Sequence, residues 1–411
     1  MRPSRREWLR VGLHAAVAPA IMIPQARAYD IGEIEAKLAK GNGIDGVTKD
    51  DLPTPSLLLD LDAFEANVQR MASHSAEAEL ELRPHAKTHK CSEIAKRQVG
   101  AGALGVCVAT IREAEAMAAA GIGGLLLTSE SVGLNKIHRL IRLCERRPDT
   151  MAVVDHIDNA RQLDEAARAS GVRLNVLIDV DPLGRRTGVP PGSKAVSLAE
   201  AVDRLSGLRL RGVHGYCGAS SHVKGFAERK AHSAKYMAPV LESHAAMLKK
   251  GLPVEIMSGA STGTYNIDSD LKGMTELQVG SYALMDVDYR AIGGRGGDTY
   301  DDFRPALHVL ATVISKNHDD IATVDAGLKA FATDRDFGPE VARPTGLTYA
   351  FRGDEHGALM LADSEREIVL GDKIELVVPH CDPNVNLYDR MYCVRGDHVQ
   401  QVWEIDARGH V

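Results

Sequence analysis

Eight short apolar runs follow one another through the middle of the chain: LELRPHA (80–86), GVCVAT (105–110), GLLLTS (124–129), MAVVD (151–155), LNVLIDVD (174–181), LRGVHGYC (210–217), VEIMSG (254–259) and ELQVGSY (276–282). Between most of them lie Ala- and Glu-rich amphipathic stretches such as IREAEAMAAAG (111–121), DNARQLDEAARASG (158–171) and ERKAHSAKYMAPVLESHAAMLKKG (228–251), whose last glycines read as C-caps. Strand and helix alternating in this number predict an α/β fold, a parallel (β/α)8 barrel of the TIM type. The span approaches the ~250 residues usual for that fold once the strand-like SLLLDL (56–61) and the helical AFEANVQRMASH (63–74) before it are added. That sets the barrel at residues 51–285.

From residue 286 to 411 the pattern changes. HVLATVISK, DIATVDAGL, EIVLGDKIELVVP and RMYCVRGDHVQQVWEI are β-branched, alternating and separated by Gly, Asp and Pro turns, which predicts a C-terminal antiparallel β domain. No flexible linker separates the two, so they are expected to pack together and share a site. Residues 29–50 are left open between an N-terminal segment and a piece of the β domain.

A chain of 411 residues with 44% hydrophobic and 26% charged residues buries a large core. Its net charge of −7 argues against nucleic acid or an anionic membrane surface as partner. At the N-terminus Ser4, Arg5, Arg6, Glu7, Trp8, Leu9 and Arg10 precede an apolar run from Val11 to Pro24, and Ala26-Arg27-Ala28 has the small residues a signal peptidase reads. This resembles a twin-arginine export signal over residues 1–28. The run is shorter than the about 20 residues needed to span a bilayer, so no stable membrane insertion is expected. The protein is placed in the periplasm, with the cytoplasm as the alternative. Six cysteines, at 91, 107, 144, 217, 381 and 393, lack paired spacing and read as free thiols.

Barrel enzymes carry their chemistry at the C-terminal ends of the strands. Lys87 follows the first of these strands among Arg83, His85, His89 and Lys90, and so many cations predict a depressed ammonium pKa and a nucleophilic amine suited to a Schiff base. The loop MSGASTGTY (257–265) offers glycines and hydroxyls whose backbone N–H groups suit an anion. In VVPHCDPNVNLYD (377–389), read as extended, His380 and Asp382 project to one face and Cys381 to the other. One imidazole and one carboxylate suit a divalent ion such as Mn, Mg or Zn with open positions.

The string RPHAKTHK resembles the cofactor-lysine motif of the D-threonine aldolase and D-serine dehydratase family, pyridoxal phosphate enzymes with an alanine-racemase-like barrel. The resemblance covers almost all of the chain after residue 50. It implies Lys87 as the cofactor lysine, Arg186 of DVDPLGRRTGV at the phenolic oxygen of the cofactor, and Tyr216 of GYCGASSHV at the pyridine nitrogen. It implies His222 as a general base near the substrate hydroxyl. Gly259, Ser261, Thr262, Gly280 and Ser281 fall to the phosphate and Tyr282 beside the cofactor. The His380-x-Asp382 pair looks like the metal pair of D-threonine aldolases, whereas the dehydratase branch tends to show His-x-Cys.

Together these imply a metal-assisted lyase that cleaves small D-β-hydroxy-α-amino acids to glycine or another small amino acid and an aldehyde. The alternative is β-elimination from D-serine or a D-hydroxyaspartate with the same parts. A non-catalytic pyridoxal phosphate carrier is disfavoured because a carrier needs no hydroxyl-activating ion, and a racemase for the same reason. Barrels of this kind are commonly homodimers.

Overall fold

The structure is a computed structural model that describes residues 32–34, 36 and 46–409. The export-signal reading of residues 1–28 lies outside the described residues. A strand, β1 (Ser56–Asp60), precedes the helix Leu61–Glu77. There follow β2 (Glu81–Leu82), β3 (Cys107–Val108), β4 (Leu126–Leu127), β5 (Met151–Val154), β6 (Leu174–Asp179), β7 (Leu208–Gly215), β8 (Ile256–Gly259) and β9 (Glu276–Leu277). Seven of these fall within the apolar runs, β7 begins two residues before its run, and all pair in parallel in the order β2-β9-β8-β7-β6-β5-β4-β3. The ring closes between β3 and the end of β2, where His85 and Cys107 bridge in parallel and the Cys107 N–H donates to Pro84 O at 2.8 Å.

Strands buried on both faces read as continuous apolar runs, and β6 is buried at every residue. Alternation then sends its side chains two ways. Cys107, Leu126, Met151, Val153 and Leu177 form a small cluster of their own that fills the barrel interior, while Val108, Leu127, Ala152, Val154, Val176 and Ile178 pack against the outer helices. Helix starts follow local rules. Thr110 and Glu113 form a capping box on Ile111–Ala119, and Asp60 caps Leu61–Glu77.

The second sheet is built from β10 (Leu307–Ser315), β11 (Ile321–Val324), β12 (Glu340–Arg343), β13 (Thr348–Phe351), β14 (Gly357–Met360), β15 (Lys373–Val377), β16 (Arg390–Arg395) and β17 (His398–Glu404). Its main path runs β13-β14-β11-β10-β1-β16-β17, with β15 paired to β10 and β12. The barrel range of 51–285 is therefore corrected. Residues 56–60 belong to the β domain, antiparallel to β10 and parallel to β16. The reason is burial: Leu57, Leu58 and Leu59 are apolar on both faces and are covered in the middle of that sheet. Residues 46–52 also lie against it, with Thr48 bridged to His398 and Val47 and Leu52 packed on Leu58, Leu310 and Val399.

A single core cluster joins both units. Leu57, Phe64, Tyr282, Leu284, Phe303, Val309, Cys381 and Trp403 all belong to it. Among the described residues no helix is long and apolar enough to cross a membrane.

Candidate active site

β2 runs on through Arg83-Pro84-His85 into a 3-10 turn, Ala86–Thr88, that carries the lysine. The cations around it are each spoken for. Arg83 is buried against Glu276 at 3.0 Å and also donates to Gly124 O. Lys90 Nζ reaches Glu113 at 2.5 Å. Burial pushes His89 down to about 4 and His85 well below the usual imidazole range, so both rings are neutral near pH 7.

The Lys87 amine instead meets a carboxylate from the other domain, Asp382 Oδ1, at 2.5 Å. Loss of solvent works against the ammonium, but Asp382 and then Tyr216 outweigh it and hold the Lys87 pKa above its ordinary value. The expected depression by neighbouring cations is corrected: those cations are neutralised within the barrel, and the dominant charge comes from 295 residues away.

Lys87 opens into a cavity of about 240 Å³ at the C-terminal ends of the barrel strands, whose lining includes Arg186, Tyr216, Ser261, Thr262, Gly280 and Ser281. The loop after β8 turns sharply, with Ala260 in the left-handed region at φ 70°. Gly280 makes a close cradle, since a Cβ there would stand 2.5 Å from Thr88 Oγ1. The Arg186 guanidinium sits 5.4 Å from the Tyr216 ring centre. A basic amine, a loop of hydroxyls and a glycine cradle in one cavity fit pyridoxal phosphate.

Two expected members lie elsewhere. Tyr282 is fully buried, accepts from Gln98 Nε2 at 3.0 Å and packs on Phe303, because the 3-10 turn Ser281–Ala283 swings consecutive side chains apart and only Ser281 faces the cavity. Gly259 does not line the cavity. Its missing Cβ lets β8 approach β7, since that atom would come 2.3 Å from Gly215 O.

Other lining residues escaped notice, among them His214, Gln278, Thr128 and Tyr289. His214 Nδ1 contacts Asp179 Oδ1 at 2.5 Å and its Nε2 faces Gln278 Oε1 at 3.2 Å, while Gln278 Nε2 donates to Ser258 at 2.7 Å. A signal existed for two of them: His214 and Gln278 stand two residues before Tyr216 and Gly280 at the ends of the same runs.

The mouth of the cavity lies against the β domain. His380 is extended, but Cys381–Val385 form a short helix. The extended reading of that segment is corrected, for Asp382 and Pro383 both suit a first helical turn. Cys381 is buried, with its Sγ 3.6 Å from Asp382 Oδ2. The carboxyl of Asp382 is buried, yet Lys87 and His380 hold its pKa below the usual range. His380 Nδ1 contacts Asp334 Oδ2 at 2.7 Å, an arrangement in which the other ring nitrogen is free to ligate. That donor set fits a divalent ion. Among the described residues no group of three or more His, Cys, Asp or Glu is arranged to hold one. His222 packs on Tyr289 at 4.6 Å and stands 3.3 Å from Asp288 Oδ2. Burial lowers its pKa, which leaves a neutral imidazole able to take a proton.

Known proteins match over most of this architecture. Residues 59–287 match the family model described as "Alanine racemase, N-terminal domain", and residues 306–394 match "Putative serine dehydratase domain". A 3-hydroxy-D-aspartate aldolase of Paracoccus denitrificans (strain Pd 1222) is 36% identical over 89% of this chain and 94% of its own. A D-threonine aldolase of Arthrobacter sp is 38% identical over 87% of this chain and 93% of its own. Among solved structures, D-threonine aldolase from Filomicrobium marinum superposes with a TM-score of 0.84 at 40% identity, covering 89% of this chain and 98% of that one.

Proposed function

Because the chain belongs to the alanine-racemase-like pyridoxal phosphate enzymes, on the branch of the D-threonine and 3-hydroxy-D-aspartate aldolases, we propose that it is a lyase that splits D-β-hydroxy-α-amino acids into glycine and an aldehyde. One observation carries this reading. The Lys87 amine, the Asp382 carboxylate and the imidazoles of His222 and His380 gather where the C-terminal face of the barrel meets the β domain.

Pyridoxal phosphate bound there supplies a sink for the electron pair of the breaking Cα–Cβ bond, and a divalent ion such as Mn, Mg or Zn supplies Lewis acidity at the β-oxygen. Lys87 would hold the carbonyl carbon of the cofactor. Ser261, Thr262, Gly280 and Ser281 would hold its phosphate, Arg186 its phenolic oxygen and Tyr216 its ring nitrogen. His380 and Asp382 would ligate the ion. His222 takes the proton of the substrate β-hydroxyl, and the electrons left on that oxygen form the aldehyde C=O as Cα–Cβ breaks. A proton delivered to Cα completes glycine, so the overall reaction consumes none. Tyr289 fixes the plane of the His222 ring, which a mobile base would lack. For residues 1–28 we keep export to the periplasm, and for the assembly a homodimer.

The test is product analysis. The protein with pyridoxal phosphate and Mn is offered D-threonine and D-serine separately. Acetaldehyde and glycine from D-threonine support the aldolase. Ammonia and a keto acid released faster from D-serine would replace it by the dehydratase.

A further inference from the structure

His222 and His380 are linked through Asp288, Arg335 and Asp334, hydrogen-bonded from Asp288 to His380 and completed at His222 by a close contact that is not a hydrogen bond. Asp288 Oδ2 stands 3.3 Å from His222 Nδ1 and accepts from Arg335 Nε at 2.7 Å. The same guanidinium donates through Nη1 to Asp334 Oδ2 at 2.9 Å, and that oxygen contacts His380 Nδ1 at 2.7 Å. A carboxylate oxygen can only accept, so His380 carries its proton on Nδ1 and turns the lone pair of Nε2 outward.

The frame beneath is rigid. Val287 and Asp288 donate their N–H groups to Val378 O and Pro379 O, both at 3.1 Å, and the Cys381 N–H donates to Asp286 Oδ2 at 2.8 Å. The last loop of the barrel is thereby laced to the segment bearing His380. Asp334 and Arg335 come from a third segment, the loop between β11 and β12, and Arg335 grips both carboxylates. The pairs made by Asp334 are partly exposed, and exposed ion pairs contribute little to stability, so fold stability does not account for that half of the arrangement. Positioning does, because the forked geometry of a guanidinium can set the distance between two acceptors.

We propose that Asp334 and Arg335 are positioning residues for the reaction: Asp334 fixes the tautomer and direction of His380 for metal binding, and Arg335 holds the His222 and His380 supports at one spacing. This rests on the metal reading of His380 and Asp382 given above. Neither residue belongs to any motif in the sequence.

The experiment measures Mn affinity by electron paramagnetic resonance on the cofactor-loaded protein, using visible cofactor absorbance as the control for an intact fold. Wild type, His380→Ala, Asp334→Ala, Asp334→Asn and Arg335→Met are compared. Asp334→Ala should weaken Mn binding about 10- to 100-fold, and Asp334→Asn, which keeps an acceptor, should restore most of it. Arg335→Met should lower kcat at saturating Mn more than it raises KM. Asp334→Ala binding Mn as wild type does, while His380→Ala loses it, overturns the positioning role alone. Mn binding unchanged in His380→Ala overturns the metal reading, and the positioning role with it.

Discussion

Arg229 lies in the helix Phe226–Lys249 with none of its surface exposed, and its partners are carbonyl oxygens. Nε donates to Gly263 O at 2.7 Å, Nη1 to Val223 O at 2.9 Å and Ile292 O at 3.0 Å, and Nη2 to Gly293 O at 2.8 Å. Those four acceptors belong to the segment after His222, the loop carrying Ser261 and Thr262, and the segment after Tyr289. One guanidinium therefore ties three parts of the candidate site together. Arg229→Met fills the space but leaves three carbonyls, Gly263 O, Val223 O and Gly293 O, without a donor, while Ile292 O keeps the Gly225 N–H at 2.9 Å; at about 1 kcal/mol each the loss is about 3 kcal/mol. For a cooperative unit of ~360 residues, with an unfolding entropy of ~2.1 cal/mol/K per residue, that lowers Tm by about 4 °C. Arg229→Lys, a point charge that cannot reach three segments at once, should recover less than half. Calorimetry and a pyridoxal phosphate titration followed in the visible are the assays, and cofactor affinity should fall with Tm. A methionine variant within about 1 °C of wild type and with unchanged cofactor affinity would refute the bracing role.

Lys87→Ala should lose the visible absorbance of bound cofactor and the activity together, and a borohydride-reducible adduct persisting in that variant would exclude Lys87 as the cofactor lysine. Gly280→Ala places a Cβ 2.5 Å from Thr88 Oγ1 and 3.2 Å from His85 O. That should shift the turn bearing Lys87 and weaken cofactor binding about tenfold, with about 1–3 kcal/mol of overpacking strain read by denaturant unfolding. Asp268 accepts from Ser233 Oγ at 2.5 Å and Thr264 Oγ1 at 2.6 Å, yet burial pushes its carboxyl up to about 6. The folded state holds that proton more tightly than the unfolded chain, so this group's contribution is full below about pH 4 and is lost as pH rises to about 6, roughly 3 kcal/mol in all. Asp268→Asn should flatten that part of the stability profile measured by urea unfolding from pH 4 to 7. Replacing Arg5 and Arg6 by lysine should retain the protein in the cytoplasm, and fractionation that still finds it in the periplasm would rule out the twin-arginine signal.

What residues 80 to 282 become is legible without any structure, because a strand buried on both faces must be apolar throughout and the helices between must be amphipathic. Those are properties of consecutive residues, so all eight barrel strands were where the pattern put them. The barrel then dictates that strand ends gather at one face, which brought Lys87, Arg186, Tyr216, Ser261, Thr262, Gly280 and Ser281 to one cavity. Tertiary structure decided the rest wherever a partner came from far along the chain. SLLLD reads as a strand either way, and only the gap between β10 and β16 assigns it to the β domain. RPHAKTHK reads as a cluster of cations, but Glu276 and Glu113 neutralise Arg83 and Lys90, burial discharges His85 and His89, and Asp382 recharges Lys87. Tyr282 and Gly259 sit in motifs that point to a cofactor, yet a 3-10 turn and a close strand approach assign them to packing. Asp334 and Arg335 carry no local signal, since they matter only by standing between two histidines that the fold has already brought together. Periodicity and composition act over a few residues and can be read in order. Charge, desolvation and hydrogen-bond direction depend on neighbours in space, which only the folded chain supplies.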